Sequence, residues 1–166
     1  MIVWIVGLSG AGKTTLANQI VYKLRENGKK IVHLDGDLIR NLYGNDIGHS
    51  IEDRKKNADR ICKLCKFLDL QEIDVVTSIL SIFPESRQWC RENLINYYEV
   101  FIKTDIQILK TRDSKGIYKK FDRGLIKNVA GLDLNFIEPD CPDLIINNNG
   151  NLEDFIKYSD LILKKF

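Results

Sequence analysis

The sequence contains few cysteines, prolines, histidines and methionines: four, three, two and one in 166 residues. Cys62, Cys65, Cys90 and Cys141 are too few and too scattered to staple a chain of this length, so a disulfide scaffold is excluded and reduced thiols are expected. Cys62 and Cys65 form a C-x-x-C, but no second Cys or His pair stands at zinc-ligand spacing. Neither sign of charge dominates. The 25 Lys and Arg against 23 Asp and Glu leave +2, which gives no argument for nucleic acid or an anionic membrane as a partner. No apolar run approaches the roughly 18 residues of a membrane-spanning helix. The opening Ile2-Val3-Trp4-Ile5-Val6 follows no basic residue and is too short for a secretory core, so a cytoplasmic location is expected. What remains, 44% hydrophobic and 29% charged, suffices for one domain over residues 1–166 with a substantial core.

Short, nearly continuous apolar runs occur at Ile2–Val6, Lys30–Leu34, Asp74–Leu80, Tyr97–Ile102 and Asp143–Ile146. Continuous hydrophobicity, rather than alternation, marks strands buried on both faces. Helical patterns lie between and after them, at Lys13–Glu26, Leu38–Leu42, Ile51–Leu70, Glu85–Asn96 and about Leu152–Lys164. This rhythm predicts a three-layer α/β fold with a mostly parallel five-stranded sheet and helices on both faces. One segment breaks it. Asp113–Lys127 has little apolar periodicity yet holds Lys115, Lys119, Lys120, Arg123 and Lys127, and is read as a mobile basic lid rather than as a merely solvated loop.

Gly7-Leu8-Ser9-Gly10-Ala11-Gly12-Lys13-Thr14 matches G-x-x-x-x-G-K-[ST] and stands directly after a strand and before a helix. Its glycines let backbone N–H groups turn around phosphate oxygens at the positive end of the following helix. Lys13 is expected to reach the β- and γ-phosphates, and Thr14 to hold Mg²⁺. A regulatory GTPase is a second reading, with Asp113-Ser114-Lys115-Gly116 as a D-x-x-G, but no N-K-x-D follows to read guanine. A third, a nucleotide-binding scaffold without turnover, has no use for the acids of Leu34-Asp35-Gly36-Asp37-Leu38-Ile39-Arg40. Asp37, at the carboxyl end of the second strand, is the candidate carboxylate for the attacking hydroxyl, and Asp35 the candidate support for magnesium.

From that second strand onward the chain resembles the adenylylsulfate kinases, whose P-loop is followed by L-D-G-D-x-x-R, G-F-S-x-x-D-R-x-x-N, I-S-P-[FY]-R, R-D-x-K-G-[LI]-Y and F-T-G-[IL]-D. The counterparts here are Leu34 to Arg40; Gly48-His49-Ser50 with Asp53-Arg54 and Asn57; Leu80-Ser81-Ile82-Phe83-Pro84; Arg112 to Tyr118; and Val129 to Asp133. The resemblance implies a P-loop kinase fold and transfer of the ATP γ-phosphate to the ribose 3′-hydroxyl of a nucleotide acceptor, by a homodimer. It makes Asp37, Lys13 and Lys115 the catalytic group and adds Thr15, Arg112 and Cys141 to the P-loop residues around ATP. Asp35, Arg40, His49, Arg54, Asn57, Ser81, Ile82, Lys115, Lys127 and Val129 become the acceptor contacts.

The chain departs from the pattern at the acceptor base. The family clamps adenine between two phenylalanines, and this sequence has His49 and Val129 in their places. Aromatic stacking contributes roughly 1–3 kcal/mol per base, so the loss bears directly on adenine affinity. The proline and arginine of I-S-P-[FY]-R are missing too. Transfer machinery kept beside an altered base pocket points to an altered acceptor, and within the family to cytidine diphosphoramidate, a precursor of phosphoramidate-decorated capsular polysaccharide. Adenylylsulfate itself is the alternative acceptor.

Overall fold

The structure, a computed structural model, describes residues 1–166. Five strands, β1 (Ile2–Val6), β2 (Ile31–Asp35), β3 (Asp74–Ile79), β4 (Tyr97–Lys103) and β5 (Leu144–Asn147), form one sheet in the order β2-β3-β1-β4-β5. Every pairing is parallel. All five residues of the central strand β1 are fully buried, as its unbroken apolar run requires. Val3 and Ile5 point to one core with Val76, Val100, Ile102 and Ile146, while Ile2, Trp4 and Val6 point to the other with Val75, Ile79 and Phe101. Strand alternation thus produces two cores, one under each helical layer.

The first layer holds α1 (Lys13–Glu26) and α7 (Leu152–Leu163), whose Leu16, Ile20, Phe155 and Ile162 fill the first core. The second holds α3 (Ile51–Leu70) and α4 (Pro84–Asn93), contributing Ile61, Cys62, Cys65 and Cys90. All four thiols are unpaired, three of them buried and Cys141 exposed. Ser50 caps α3 by accepting from the Asp53 amide at 3.1 Å, and Pro84 opens α4 where its missing N–H costs nothing.

Two departures from the sequence pattern go beyond one or two residues at an element's end. α4 ends at Asn93, because Leu94 turns extended to bury its side chain in the second core. The basic segment is not one loop: α5 (Ile106–Arg112) runs up to it and α6 (Ile117–Asp122) lies within it. Both helices are too short for periodicity to show. Tyr118 on α6 is buried, and its hydroxyl donates to the Ser9 carbonyl of the P-loop at 2.8 Å. Asp113 accepts the amides of Tyr118 and Lys119 at 3.1 and 2.9 Å.

Candidate active site

Parallel strands leave their carboxyl ends together, and the loops that follow β1, β2 and β3 surround a cavity of about 880 Å³. The P-loop enters it first. The last P-loop glycine, Gly12, has φ +100°, and a Cβ there would lie 2.8 Å from the Phe155 ring and 2.9 Å from Asn148 Nδ2. Asn148 in turn donates to the Ala11 carbonyl at 2.8 Å, so the loop after β5 braces the phosphate loop from behind. At the other end, a Cβ on Gly7 would meet the Ile102 carbonyl at 2.7 Å.

Lys13 is half-buried and donates to the Leu8 carbonyl at 2.7 Å. Burial first, then the like charge of Lys115, pushes its ammonium down to about 8, against the opposing pull of Asp35 and Asp37.

The two acids have different environments. Asp35 is fully engaged: one oxygen accepts the amides of Asp37 and Leu38 at 2.9 and 3.4 Å, and the other accepts Thr14 Oγ1 at 3.0 Å and Ser78 Oγ at 2.7 Å. Burial works against its charge, yet the bonds from Ser78, the Asp37 amide, Thr14 and the Leu38 amide hold its carboxyl below the usual range. Such a carboxylate stays ionised and cannot move to take a proton. Asp37 is exposed and has one partner, Lys115 Nζ at 2.6 Å, reaching across from the start of the basic segment.

On the far wall, Arg54 donates to the carbonyls of His49 and Asn128, both at 3.1 Å. Arg40 is 9% exposed with no partner for its Nε. Burial and the neighbouring Arg40 charge hold the Arg54 guanidinium below its usual value, so the wall concentrates positive charge. Asn57 Nδ2 donates to the Gly36 carbonyl at 3.1 Å, which leaves its buried Oδ1 unpartnered. His49 is lowered by partial burial and by Arg40 and Arg54, and so presents a neutral imidazole. Val129 is fixed by Asp133, which accepts the Asn128 and Val129 amides at 2.9 and 2.6 Å.

The cavity therefore brings together Ser9, Gly10, Gly12, Lys13, Thr14, Thr15, Asp35, Asp37, Arg40, His49, Arg54, Asn57, Ser81, Ile82, Lys115, Lys127 and Val129. Arg112 lines an adjoining cavity of about 240 Å³ on the other side of Gly10, Gly12 and Thr15, and donates to the Gly150 carbonyl at 3.2 Å. Cys141 is not brought in. It lies two residues before Asp143, whose amide bonds the Glu99 carbonyl, and its own carbonyl accepts from Arg91 in the last turn of α4. That puts it toward the amino ends of the strands, away from the P-loop. Lys120 and Ile126 of the basic segment also line the cavity, as do Asn41 and Asn45, which nothing in their sequence context marks.

Three comparisons bear on this geometry. The family model described as adenylylsulphate kinase matches residues 1–147. The chain belongs to the adenylylsulfate kinase family. It is thereby a phosphotransferase acting on a hydroxyl group, in a family of ATP-using kinases. The adenylyl-sulfate kinase of Bacillus velezensis is 38% identical across 95% of this chain and 85% of its own length. Cytidine diphosphoramidate kinase of Campylobacter jejuni is likewise 38% identical, across 99% of this chain and 95% of its own. The solved adenylylsulfate kinase of Mycobacterium tuberculosis, in complex with AMPPNP and APS, superposes with a TM-score of 0.89 at 30% identity, covering 99% of this chain and 95% of that one. The fold expected for the family is the one observed, with the sheet entirely parallel. No helix is long and apolar enough to cross a membrane.

Proposed function

We propose that the protein transfers the γ-phosphoryl group of ATP to the ribose 3′-hydroxyl of cytidine diphosphoramidate, in the making of a phosphoramidate-decorated capsular polysaccharide. The observation that carries the reading is the base wall: His49 and Val129 line the same cavity as Arg40, Arg54 and Asp37. One neutral aromatic ring and one short aliphatic side chain suit a single-ring base better than a two-sided clamp for adenine. The near end-to-end match to the Campylobacter jejuni enzyme supports it.

The residues divide the work. Lys13 and the P-loop amides hold the β- and γ-phosphates, and Arg40 and Arg54 hold the acceptor's own phosphates. Asp37 takes the proton of the 3′-hydroxyl as its oxygen bonds to the γ-phosphorus, the bond from that phosphorus to the β–γ bridging oxygen breaks and ADP leaves with its electron pair, and Lys115 offsets the charge of the migrating group. Thr14 Oγ1 is a hard oxygen donor fit for Mg²⁺, and Asp35, which accepts its hydroxyl at 3.0 Å, supports it from behind. When bound, Mg²⁺ neutralises charge on the β- and γ-phosphate oxygens.

Cytidine diphosphoramidate is expected to exceed adenosine 5′-phosphosulfate in kcat/KM by at least about tenfold, equivalent to about 1.4 kcal/mol. Restoring the aromatic pair with His49→Phe and Val129→Phe is expected to move that ratio back toward adenine. The ratio is the measurement, since the double change also alters packing. Efficient use of adenosine 5′-phosphosulfate with no activity on cytidine nucleotides would identify an adenylylsulfate kinase whose base wall has drifted.

The basic segment closes over both substrates in this reading, but only part of it moves. Tyr118 and Asp113 anchor α6, whereas the amides of Ile126 and Lys127 have no acceptor in the protein. Hydrogen exchange is expected to be slow at Tyr118 and Lys119 in the free protein, and to slow at Ile126 and Lys127 only with two nucleotides bound. Equal exchange at Ile126 and Lys127 in both states rules out the closure.

A further inference from the structure

Arg87, on α4, is 5% exposed and stands outside the cavity. Its guanidinium is engaged by two main-chain carbonyls: Nη1 donates to Ser81 O at 2.6 Å and Nη2 to Ile137 O at 3.1 Å. Glu99, also buried, lies 3.9 Å from Nε. Ser81 itself has φ +50°, the left-handed region, where a serine is strained. Its hydroxyl accepts from Trp4 Nε1 at 3.1 Å. A guanidinium on the carbonyl and an indole on the hydroxyl thus hold this turn in a conformation it would otherwise leave.

The bond to the carbonyl decides where the next amide points. No peptide bond in the chain is cis, and in a trans peptide the C=O and the N–H that follows point in opposite directions. With the Ser81 carbonyl turned to Arg87, the Ile82 N–H points away from it, and Ser81 and Ile82 line the cavity where Arg87 does not. That N–H has no acceptor in the protein although Ile82 is buried. A buried amide left unpaired is costly unless a ligand or water meets it. The cation on the carbonyl polarises the same peptide and makes its N–H a stronger donor. Arg40 and Arg54 make the cavity positive, so the partner that fits is an anionic oxygen.

We propose that the Ile82 amide, aimed by Arg87, donates a hydrogen bond to a phosphoryl-type oxygen of the acceptor nucleotide; this rests on the reading that the cavity takes that nucleotide. Arg87 is then a positioning residue that acts through one peptide plane. The proline of the motif this stretch resembles has no N–H to give, so the donor belongs to this sequence.

The test is steady-state kinetics with ATP and with adenosine 5′-phosphosulfate and cytidine diphosphoramidate as acceptors. Phosphorylation of neither by the unmodified protein overturns the functional reading and this inference with it. With an acceptor found, Ile82→Pro removes the N–H, while Ile82→Ala keeps it and removes the side chain. The acceptor KM of Ile82→Pro is expected to exceed that of Ile82→Ala by at least about fivefold, with the KM for ATP the same in both. Equal acceptor KM values in the two variants overturn the inference. Proline also restricts Ser81, so Arg87→Met and Arg87→Lys form an independent arm. Arg87→Met is expected to raise the acceptor KM at least about fivefold while ATP KM holds, and Arg87→Lys to recover part of it. An acceptor KM unmoved in Arg87→Met, or one that rises in step with the KM for ATP, overturns the inference whatever the proline variant does.

Discussion

Lys13→Ala is expected to abolish phosphoryl transfer, leaving turnover below about one part in a thousand, because removal of a preorganised charge at the migrating group costs about 10²–10³ in kcat and ATP binding is lost besides. The geometry explains why nothing replaces it. Lys13 is the P-loop cation, tethered to the Leu8 carbonyl at 2.7 Å, and Lys115 is already paired with Asp37 at 2.6 Å. Binding of the acceptor nucleotide, which the proposed function assigns to Arg40 and Arg54, is expected to persist in this variant, and equilibrium titration with the acceptor separates the two effects. Turnover above a few per cent of wild type removes Lys13 from the role. The unmodified protein offers a second check through pH. Burial and Lys115 push the Lys13 ammonium down to about 8 from its ordinary value near 10.5, so its charge is lost as pH rises through that region. The kcat/KM for ATP, which reports the free enzyme, is expected to fall above about pH 8, while kcat holds because bound polyphosphate restores the proton. A kcat/KM profile flat from pH 7 to 9.5 contradicts this.

The phosphate site was legible in the sequence because its chemistry is local: eight consecutive residues between a strand and a helix carry the glycines, the lysine and the threonine. Strand burial was legible for a related reason, since Ile2 to Val6 must be apolar on both faces to lie between two cores. What escaped depends on contacts distant in sequence. α6 is a helix because Tyr118 reaches the Ser9 carbonyl, 109 residues away, and no local periodicity announces that. Asp113, three residues before the Gly116 that caps α6, also belongs to the D-x-x-G that suggested a GTPase, but in the fold its carboxylate accepts the Tyr118 and Lys119 amides. The resemblance implies an ATP contact for Cys141, but the sheet carries it toward the amino ends of the strands. Nothing local in the sequence marks Arg87, whose guanidinium holds the Ser81 carbonyl only in the fold.

The division between Asp35 and Asp37 is expected from the sequence, and the geometry adds a physical reason for it that leads to the second large effect. Asp35 spends both oxygens on Thr14, Ser78 and two amides, so it is the cap of α2 (Gly36–Leu42) and a support for the P-loop threonine. Asp37 is free on every side but one. Asp37→Asn keeps the shape of the side chain and removes the carboxylate, so kcat is expected to fall by about 10² or more while the KM for ATP changes little, the usual range for loss of a positioned base. Loss of the Lys115 ion pair does not account for such a drop. Both partners are more than half exposed, and ion pairs of that kind contribute little to stability. A Lys115→Met comparison separates the terms. If Asp37 acts only by holding Lys115, the double variant is no slower than either single one; if each acts on the reaction, the losses in kcat multiply. An ATP affinity that collapses in Asp37→Asn while kcat is spared makes Asp37 a binding residue, and the base assignment is then wrong.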